Sequence, residues 1–455
     1  MVYMEYRYDV VIIGAGIAGT TAAYFIARNG FSVALVDIKS EENIGKKVCG
    51  DAVGEHHFIE LGLEKPVIGE DATGIYEGVR VVSPDNKYYI DVMGRGYSLD
   101  RQKFGYKMYK RAIDAGVEAF LKHYFAKPII EGSWVKGVVI RDRKGSEKVL
   151  RSKVVVDASG VTGVVRTSLP QDWWITERIP KEDFNITYRE IIEGDIQGID
   201  EKYAYIYINV DIAPGGYWWL FPKGGGIYNI GLGIQWKEGN PNPKANYEKY
   251  IKTSLKGAIR SVIDGGGGLV PTRRPISCMV WNGFVVIGDA AATANPIHGG
   301  GIGSAMISAK TASDTISDAL LRGDPSMDGL WRYHVLYHRA YGAKQASLDV
   351  LRMFMQKLSN EDYNFVFRSN IVSGEDVYIM GSRGVLTNKI FNRIRALLTL
   401  VTRPAFLAKL YKVKQYMDQA YSLYLNFPRT SEGFKRWKEE ENALFNDFKN
   451  WLKSW

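Results

Sequence analysis

Four clusters of residues in this 455-residue chain have the types and spacing to do chemistry. The first is Gly14-Ala15-Gly16-Ile17-Ala18-Gly19, with Asp37 further on. Gly14 permits a tight turn, Gly16 lets backbone amides reach a pyrophosphate, and Gly19 allows a helix to pack on a strand; Asp37 is placed to accept ribose hydroxyls. The helix N-terminus behind Ala18 attracts phosphate charge, so the motif predicts a dinucleotide site. The second cluster, Lys46-Lys47-Val48-Cys49-Gly50-Asp51-Ala52, joins cations suited to a pyrophosphate with a thiol and a glycine suited to close approach by a ligand ring. Taken by itself, Cys49 is equally a small buried hydrophobe. The third pairs Asp157 and Gly160 with Gly288-Asp289 and the glycine-rich run to Gly301-Ile302; acids at strand ends can accept polyol hydroxyls, and amides at a helix start can stabilise negative charge. The fourth is Tyr217-x-Trp219-x-Phe221-Pro222, followed by Gly231-x-Gly233.

These residues need particular elements to hold them. Asp9–Ile13 reads as a buried parallel strand, TTAAYFIARNG as a helix ending at Gly30, and Ser32–Val36 as a second strand. On a strand, Tyr217, Trp219 and Phe221 share one face, giving an aromatic wall. Gly265–Gly268 is expected to be the loop that returns from this unit. Beyond Asp328 the pattern turns helical, with a break at Pro404 and a final amphipathic helix.

Three motifs in this order resemble the glutathione-reductase-type FAD fold, in the branch shared with aromatic hydroxylases. The resemblance implies FAD as the cofactor, with Arg101 of Ser98-Leu99-Asp100-Arg101 and the strand around Phe125-Ala126 also at the cofactor. The implied fold class is α/β: a Rossmann-like FAD domain (1–75, 99–170 and 275–330), an inserted antiparallel catalytic sheet (76–98 and 171–274) and a helical C-terminal region (331–455). The YxWxFP and GxG pattern is similar to that of geranylgeranyl reductases, whose archaeal members act on digeranylgeranylglycerol phospholipids. It implies a flavoprotein oxidoreductase that saturates isolated double bonds, binding substrate through Tyr217, Trp219, Phe221, Pro222, Gly231 and Gly233. An isolated alkene is a poor hydride acceptor, so protonation must accompany hydride delivery. Cys49, Tyr217, His56 and His57, and the flavin or an ordered water, are the candidate donors, with Cys49 and Tyr217 the leading residues. A single dinucleotide fingerprint leaves the reductant as a visiting NAD(P)H or ferredoxin. An FAD-dependent hydroxylase or halogenase, and a prenyl-lipid carrier of the same fold, are the alternatives.

Composition narrows the setting. The hydrophobic fraction of 46% excludes disorder, and two cysteines exclude a secreted disulfide framework, pointing to the cytoplasm. The net charge of +9 is localised. Between Val377 and Met417 there is no Asp or Glu, whereas Arg383, Lys389, Arg393, Arg395, Arg403, Lys409, Lys412 and Lys414 supply nearly the whole excess. Nucleic acid is therefore not the expected partner; a lipid phosphate, an acidic electron donor and peripheral contact with an anionic membrane through 383–414 are the candidates.

Overall fold

The structure is a computed structural model that describes residues 4–387, 389–390, 392 and 403–454. Arg393 and Arg395 lie outside the described residues. The β-branched run ending at Ile13 forms the buried half of strand Met4–Ile13, which pairs in parallel with Val33–Asp37 on one side and Glu147–Asp157 on the other. Phe284–Val286 and Glu118–Leu121 extend this sheet in parallel, and an antiparallel meander, His123–Glu131 and Trp134–Asp142, attaches to Glu147–Asp157. Helix Ile17–Arg28 packs between helices Arg101–Asp114 and Ile302–Leu321. Strand ends therefore deliver Gly14, Asp37 and Asp157 to one edge of the sheet, beside the Ile17 helix start.

A second eight-stranded sheet runs in the order Ile259–Pro271, Phe184–Gly194, Ile227–Gln235, Tyr217–Gly224, Tyr203–Tyr207, Ala72–Val82, Tyr89–Leu99, Ala52–Gly54. This sheet reaches further into the N-terminal part than the expected 76–98 range. Ala52–Gly54 pairs with Tyr89–Leu99, and Ala72–Val82 pairs with both Tyr89–Leu99 and Tyr203–Tyr207. The glycine run is also not a loop. Gly265–Gly268 lies inside the edge strand, opposite Thr187–Glu190, and its lack of side chains gives room to the segment crossing it. A Cβ on Gly266 would sit 2.8 Å from Val48 Cγ2.

Helices Ala343–Met355, Pro404–Leu425 and Phe434–Lys453 close the structure. Pro404 begins its helix, where its missing N–H costs nothing. The C-terminal helices are fastened to the passage between the two sheets by buried charge. Arg274 donates to Asp349 (3.0 Å) and Glu441 (2.8 Å), Ser277 and Lys438 donate to Glu441 (2.7 and 2.8 Å), and Arg273 donates to Glu177 (2.9 Å). Three of the cations in 383–414 are paired as well: Lys389 with Glu375, Arg403 with Glu361 and Asp362, and Lys414 with Asp418. No helix among the described residues is long and apolar enough to cross a membrane.

Candidate functional site

The cofactor half is built at the strand ends. Gly14 has φ +107°, and a Cβ there would lie 2.4 Å from the Ala158 carbonyl oxygen; one on Gly19 would lie 1.8 Å from the Gly14 oxygen. Gly16 is different: nothing stands within 4 Å of its Cβ position, and no side chain caps the helix it begins. A turn compressed at its flanks and open at its centre fits a bound diphosphate. Asp37 accepts hydrogen bonds from the amides of Ala15 (2.7 Å) and Lys39 (2.8 Å). A cleft of about 470 Å³ opens next to it, its charged lining made of Lys39, Lys122, Arg143 and Glu42. Arg101 supplies the clearest test of fit. Its Nε and Nη1 are buried with no acceptor, as expected of a guanidinium awaiting an anion.

The other expected cofactor residues fall as follows. Lys47 pairs with Asp289 at 3.1 Å, and Asp289 Oδ1 lies 3.3 Å from the Cβ position of Gly301. Gly301 caps helix Ile302–Leu321 without a side-chain bond. Ala18 packs under Gly288, Gly160 has φ +76° with open space beside it, and Ala126 occupies a β-bulge between Phe125 and Lys127. Asp157 departs from its expected role. It is fully buried, and its carboxylate accepts from the Ser159 amide and hydroxyl (3.0 and 2.6 Å) and from the amides of Val165 and Arg166 (3.1 and 2.8 Å). It closes the turn at Gly160 rather than offering an oxygen to a ligand.

The aromatic strand abuts this half. The rings of Tyr217 and Trp219, then Trp219 and Phe221, follow each other at 6.1 Å, while Trp218 stacks on Tyr207 across the opposite face. Trp219 and Phe221 are buried, so the wall is not open along its whole length in this conformation. A Cβ on Gly50 would lie 3.0 Å from Phe221, and Tyr76 packs at 6.5 Å from the same ring while its hydroxyl donates to the Pro222 oxygen (2.6 Å). Gly231 makes room for the indole: a Cβ there would meet Trp219 Cζ2 and Arg189 Cβ at 2.5 Å. Gly233 has only ordinary contacts at its Cβ position, although a Cβ on Gly216 would lie 2.0 Å from the Gly233 carbonyl oxygen.

Cys49 sits where the halves meet. Its sulfur accepts from the Asp51 amide (3.4 Å), and it borders an apolar cluster containing Ile17 and Ile302, the first residues of both cofactor-facing helices. Burial, then the Asp51 charge, pushes its thiol up, keeping it protonated near neutral pH. Tyr217 is likewise pushed up by burial and donates its hydroxyl to the His298 carbonyl (2.6 Å). Cys49 and Tyr217 are half-buried, whereas His298 is exposed. The two cysteines are both free, and Cys278 is deep in the core.

Two residues that sequence patterns did not single out, Lys223 and Asn229, join Asp51 of the thiol segment in holding this junction together. Asp51 is buried with φ +62°; its Oδ2 accepts from Lys223 (3.2 Å) and Asn229 (3.1 Å). Asn229 also donates to the Cys49 carbonyl (2.8 Å) and accepts from Trp219 Nε1 (2.9 Å). A single amide thus links the thiol segment to the aromatic strand. The sequence signal was a charged and an amide residue interrupting apolar strands, visible only once those strands were paired.

A Rossmann-like cofactor site joined by a thiol segment to a sheet that is antiparallel except where Tyr203–Tyr207 pairs in parallel with Ala72–Val82 defines a flavoprotein oxidoreductase. Comparison with known proteins agrees. A family model for FAD-dependent oxidoreductases matches residues 9–168, and one for the geranylgeranyl reductase catalytic domain matches residues 183–270. The chain is 41% identical to a digeranylgeranylglycerophospholipid reductase of Sulfolobus acidocaldarius, covering 98% of both chains. It is 30% identical to the reductase of that name from Methanothrix thermoacetophila, over 84% of this chain and 95% of that one. A geranylgeranyl bacteriochlorophyll reductase-like protein from Thermoplasma acidophilum has the same fold, with TM-score 0.77 at 23% identity over 90% of this chain and all of the other. The flavin-dependent brominase Bmp2 shares it at TM-score 0.65 and 21% identity, over 86% and 99% of the chains. The chain belongs to the geranylgeranyl reductase family, and FAD is its cofactor.

Proposed function

We propose that this protein saturates the isolated double bonds of geranylgeranyl chains on digeranylgeranylglycerol phospholipids. The observation that carries the reading is the packing of Gly50 on Phe221 and Trp219 of the aromatic strand, with the neighbouring Cys49 carbonyl held by Asn229 of the paired strand. Bound FAD, when reduced, supplies hydride. The chain supplies the rest. Gly16, Arg101, Lys47 and the Gly301 helix start hold the cofactor, and the aromatic strand binds prenyl chain by buried area, at roughly 25 cal/mol per Å². The aromatic faces stabilise developing positive charge, and the buried rings of Trp219 and Phe221 exclude water. The protonated Cys49 thiol and the Tyr217 hydroxyl are the proton donors.

The test is anaerobic. Dithionite-reduced holoenzyme is mixed with a geranylgeranyl diether phospholipid, and flavin absorbance and lipid mass are followed. Reoxidation with two hydrogens gained per double bond is expected; flavin that stays reduced with lipid mass unchanged would refute the reading. Cys49→Ala, which removes the thiol proton, is expected to slow single-turnover reoxidation at least tenfold, and an unchanged rate removes Cys49 as the donor. Electrons arrive from NAD(P)H or ferredoxin at the flavin. Peripheral contact with an anionic bilayer is part of the same proposal: neutralising Lys409, Lys412 and Lys414 together should release the protein from anionic vesicles, and retained binding would exclude that surface.

A further inference from the structure

A group of imidazoles and one lysine gathers where the loop preceding helix Ile302–Leu321 meets helix Ala343–Met355. The Lys344 stem is covered by Gly384, where a Cβ would stand 2.7 Å from Lys344 Cα and 2.9 Å from Cγ. This covering directs the ammonium over the Tyr341 ring, 4.3 Å from its centroid. Among the described residues the ammonium makes no hydrogen bond or ion pair, and the carboxylate acting on it is that of Glu60, which is exposed. Around it stand three histidines. The rings of His56 and His57 are 3.9 Å apart. The His57 imidazole presses on Gly303, where a Cβ would lie 2.1 Å from its Nε2, and its Nδ1 is buried without a partner. His298 accepts the Gly300 amide at 3.1 Å and, through its carbonyl, anchors the Tyr217 hydroxyl.

The cluster is thus tied to the end of the aromatic strand, and Lys344 acts electrostatically on all three imidazoles. Burial pushes His57 down to about 3, His298 to about 4 and Lys344 to about 8. By accessible surface Lys344 and His57 are half-buried and His56 and His298 exposed, so the cluster is reachable from solvent while one imidazole nitrogen, His57 Nδ1, stays buried and unpartnered. A half-buried ammonium whose one acting carboxylate is the exposed Glu60 gains from a dianionic oxygen ligand, which can also accept from that nitrogen. Nothing in the aromatic wall discriminates one end of a lipid from the other.

We infer that Lys344, with His57 and His298, forms the subsite for the phosphate of the lipid headgroup, at the Tyr217 end of the aromatic strand. The inference rests on the lipid-reductase reading and adds the polar end of the substrate to it. A phosphate held there directs the prenyl chains away from the cluster and along Trp219 and Phe221. The subsite therefore sets substrate polarity relative to the cofactor edge.

The experiment uses FAD-loaded enzyme and two diether lipids with identical geranylgeranyl chains, one carrying a phosphate headgroup and the other a free hydroxyl. The readout is the ratio of kcat/KM for the two, from anaerobic flavin reoxidation. Wild type should prefer the phosphorylated lipid, and Lys344→Gln should reduce that preference by about tenfold or more, the scale of a hydrogen bond to a charged group. Lys344→Arg, which keeps the charge, should retain most of it. A purely structural role would lower both lipids alike and leave the ratio unchanged, which would overturn the subsite. Inorganic phosphate distinguishes the ligand's source: competition against the phosphorylated lipid alone supports the headgroup, and equal inhibition of both lipids overturns it. Reduction of neither lipid would instead refute the lipid-reductase reading itself, whereas equal reduction of both by wild type would refute only the subsite.

Discussion

Replacing Lys223 by Met leaves a carboxylate buried beneath the thiol segment. The Lys223 ammonium is 3.2 Å from Asp51 Oδ2, with the side chains 10% and 5% exposed, so solvent screens the pair little. At an effective dielectric of about 20 their attraction is roughly 5 kcal/mol. Part of that repays desolvation, but removing one partner strands the other, because Asp51 keeps only the Asn229 amide on Oδ2 and Oδ1 has no partner. The expected loss is about 3–5 kcal/mol. Met preserves the apolar stem, so packing contributes little to the difference. In the double variant Lys223→Met/Asp51→Asn no charge is buried, and Asn tolerates the φ of +62°. It should therefore recover more than half of the loss. Urea unfolding of FAD-loaded protein measures each corner of the cycle, and the coupling between the two substitutions is the quantity of interest. A single-variant loss below about 1 kcal/mol, or a double variant no more stable than Lys223→Met, would refute the account of this junction as a coupled buried pair.

Further outcomes follow from other parts of the structure. Gly14→Ala places a methyl 2.4 Å from a carbonyl oxygen at a positive φ, so the purified protein should lose most of its yellow colour; full FAD retention would show that the turn relaxes. Gly231→Ala drives a methyl into Trp219 and Arg189 and should cost about 1–3 kcal/mol, read as a lower urea midpoint with FAD absorbance also shifted. Glu177 and Asp349 are buried beside arginines that, against the cost of burial, hold both carboxylates down at about 2, below their ordinary values of 4.5 and 3.8. A depressed folded value means the unfolded chain binds more protons in that window, so stability is full above pH 4.5 and falls as pH drops towards 2. Thermal midpoints that stay flat from pH 5 to 2.5 would contradict this.

How much of the site was legible depended on how local its determinants were. The strand, glycine turn, helix and Asp37 follow one another along the chain, and each is dictated by backbone geometry within a few residues. The alternation of Tyr217, Trp219 and Phe221 is likewise a property of any strand. The charge excess was legible as a count but not as a free surface, because Lys389, Arg403 and Lys414 find partners 14, 41 and 4 residues away. Gly265–Gly268 misled because glycine's usual signal is a turn; here its absent side chains admit Val48 across an edge strand.

The sequence by itself determined the cofactor class and the aromatic strand, since both rest on short-range spacing. Tertiary structure decided the rest. Asp157 turns inward because four donors from its own following turn surround it, and no spacing rule says which way a strand-end carboxylate points. Asp51, Lys223 and Asn229 meet across separations of 172 and 178 residues, and Lys344 acts electrostatically on His57 and His298 only because helix packing brings its charge near them. Such contacts depend on sheet register and on which helix covers which edge, quantities set by burying the whole chain at once.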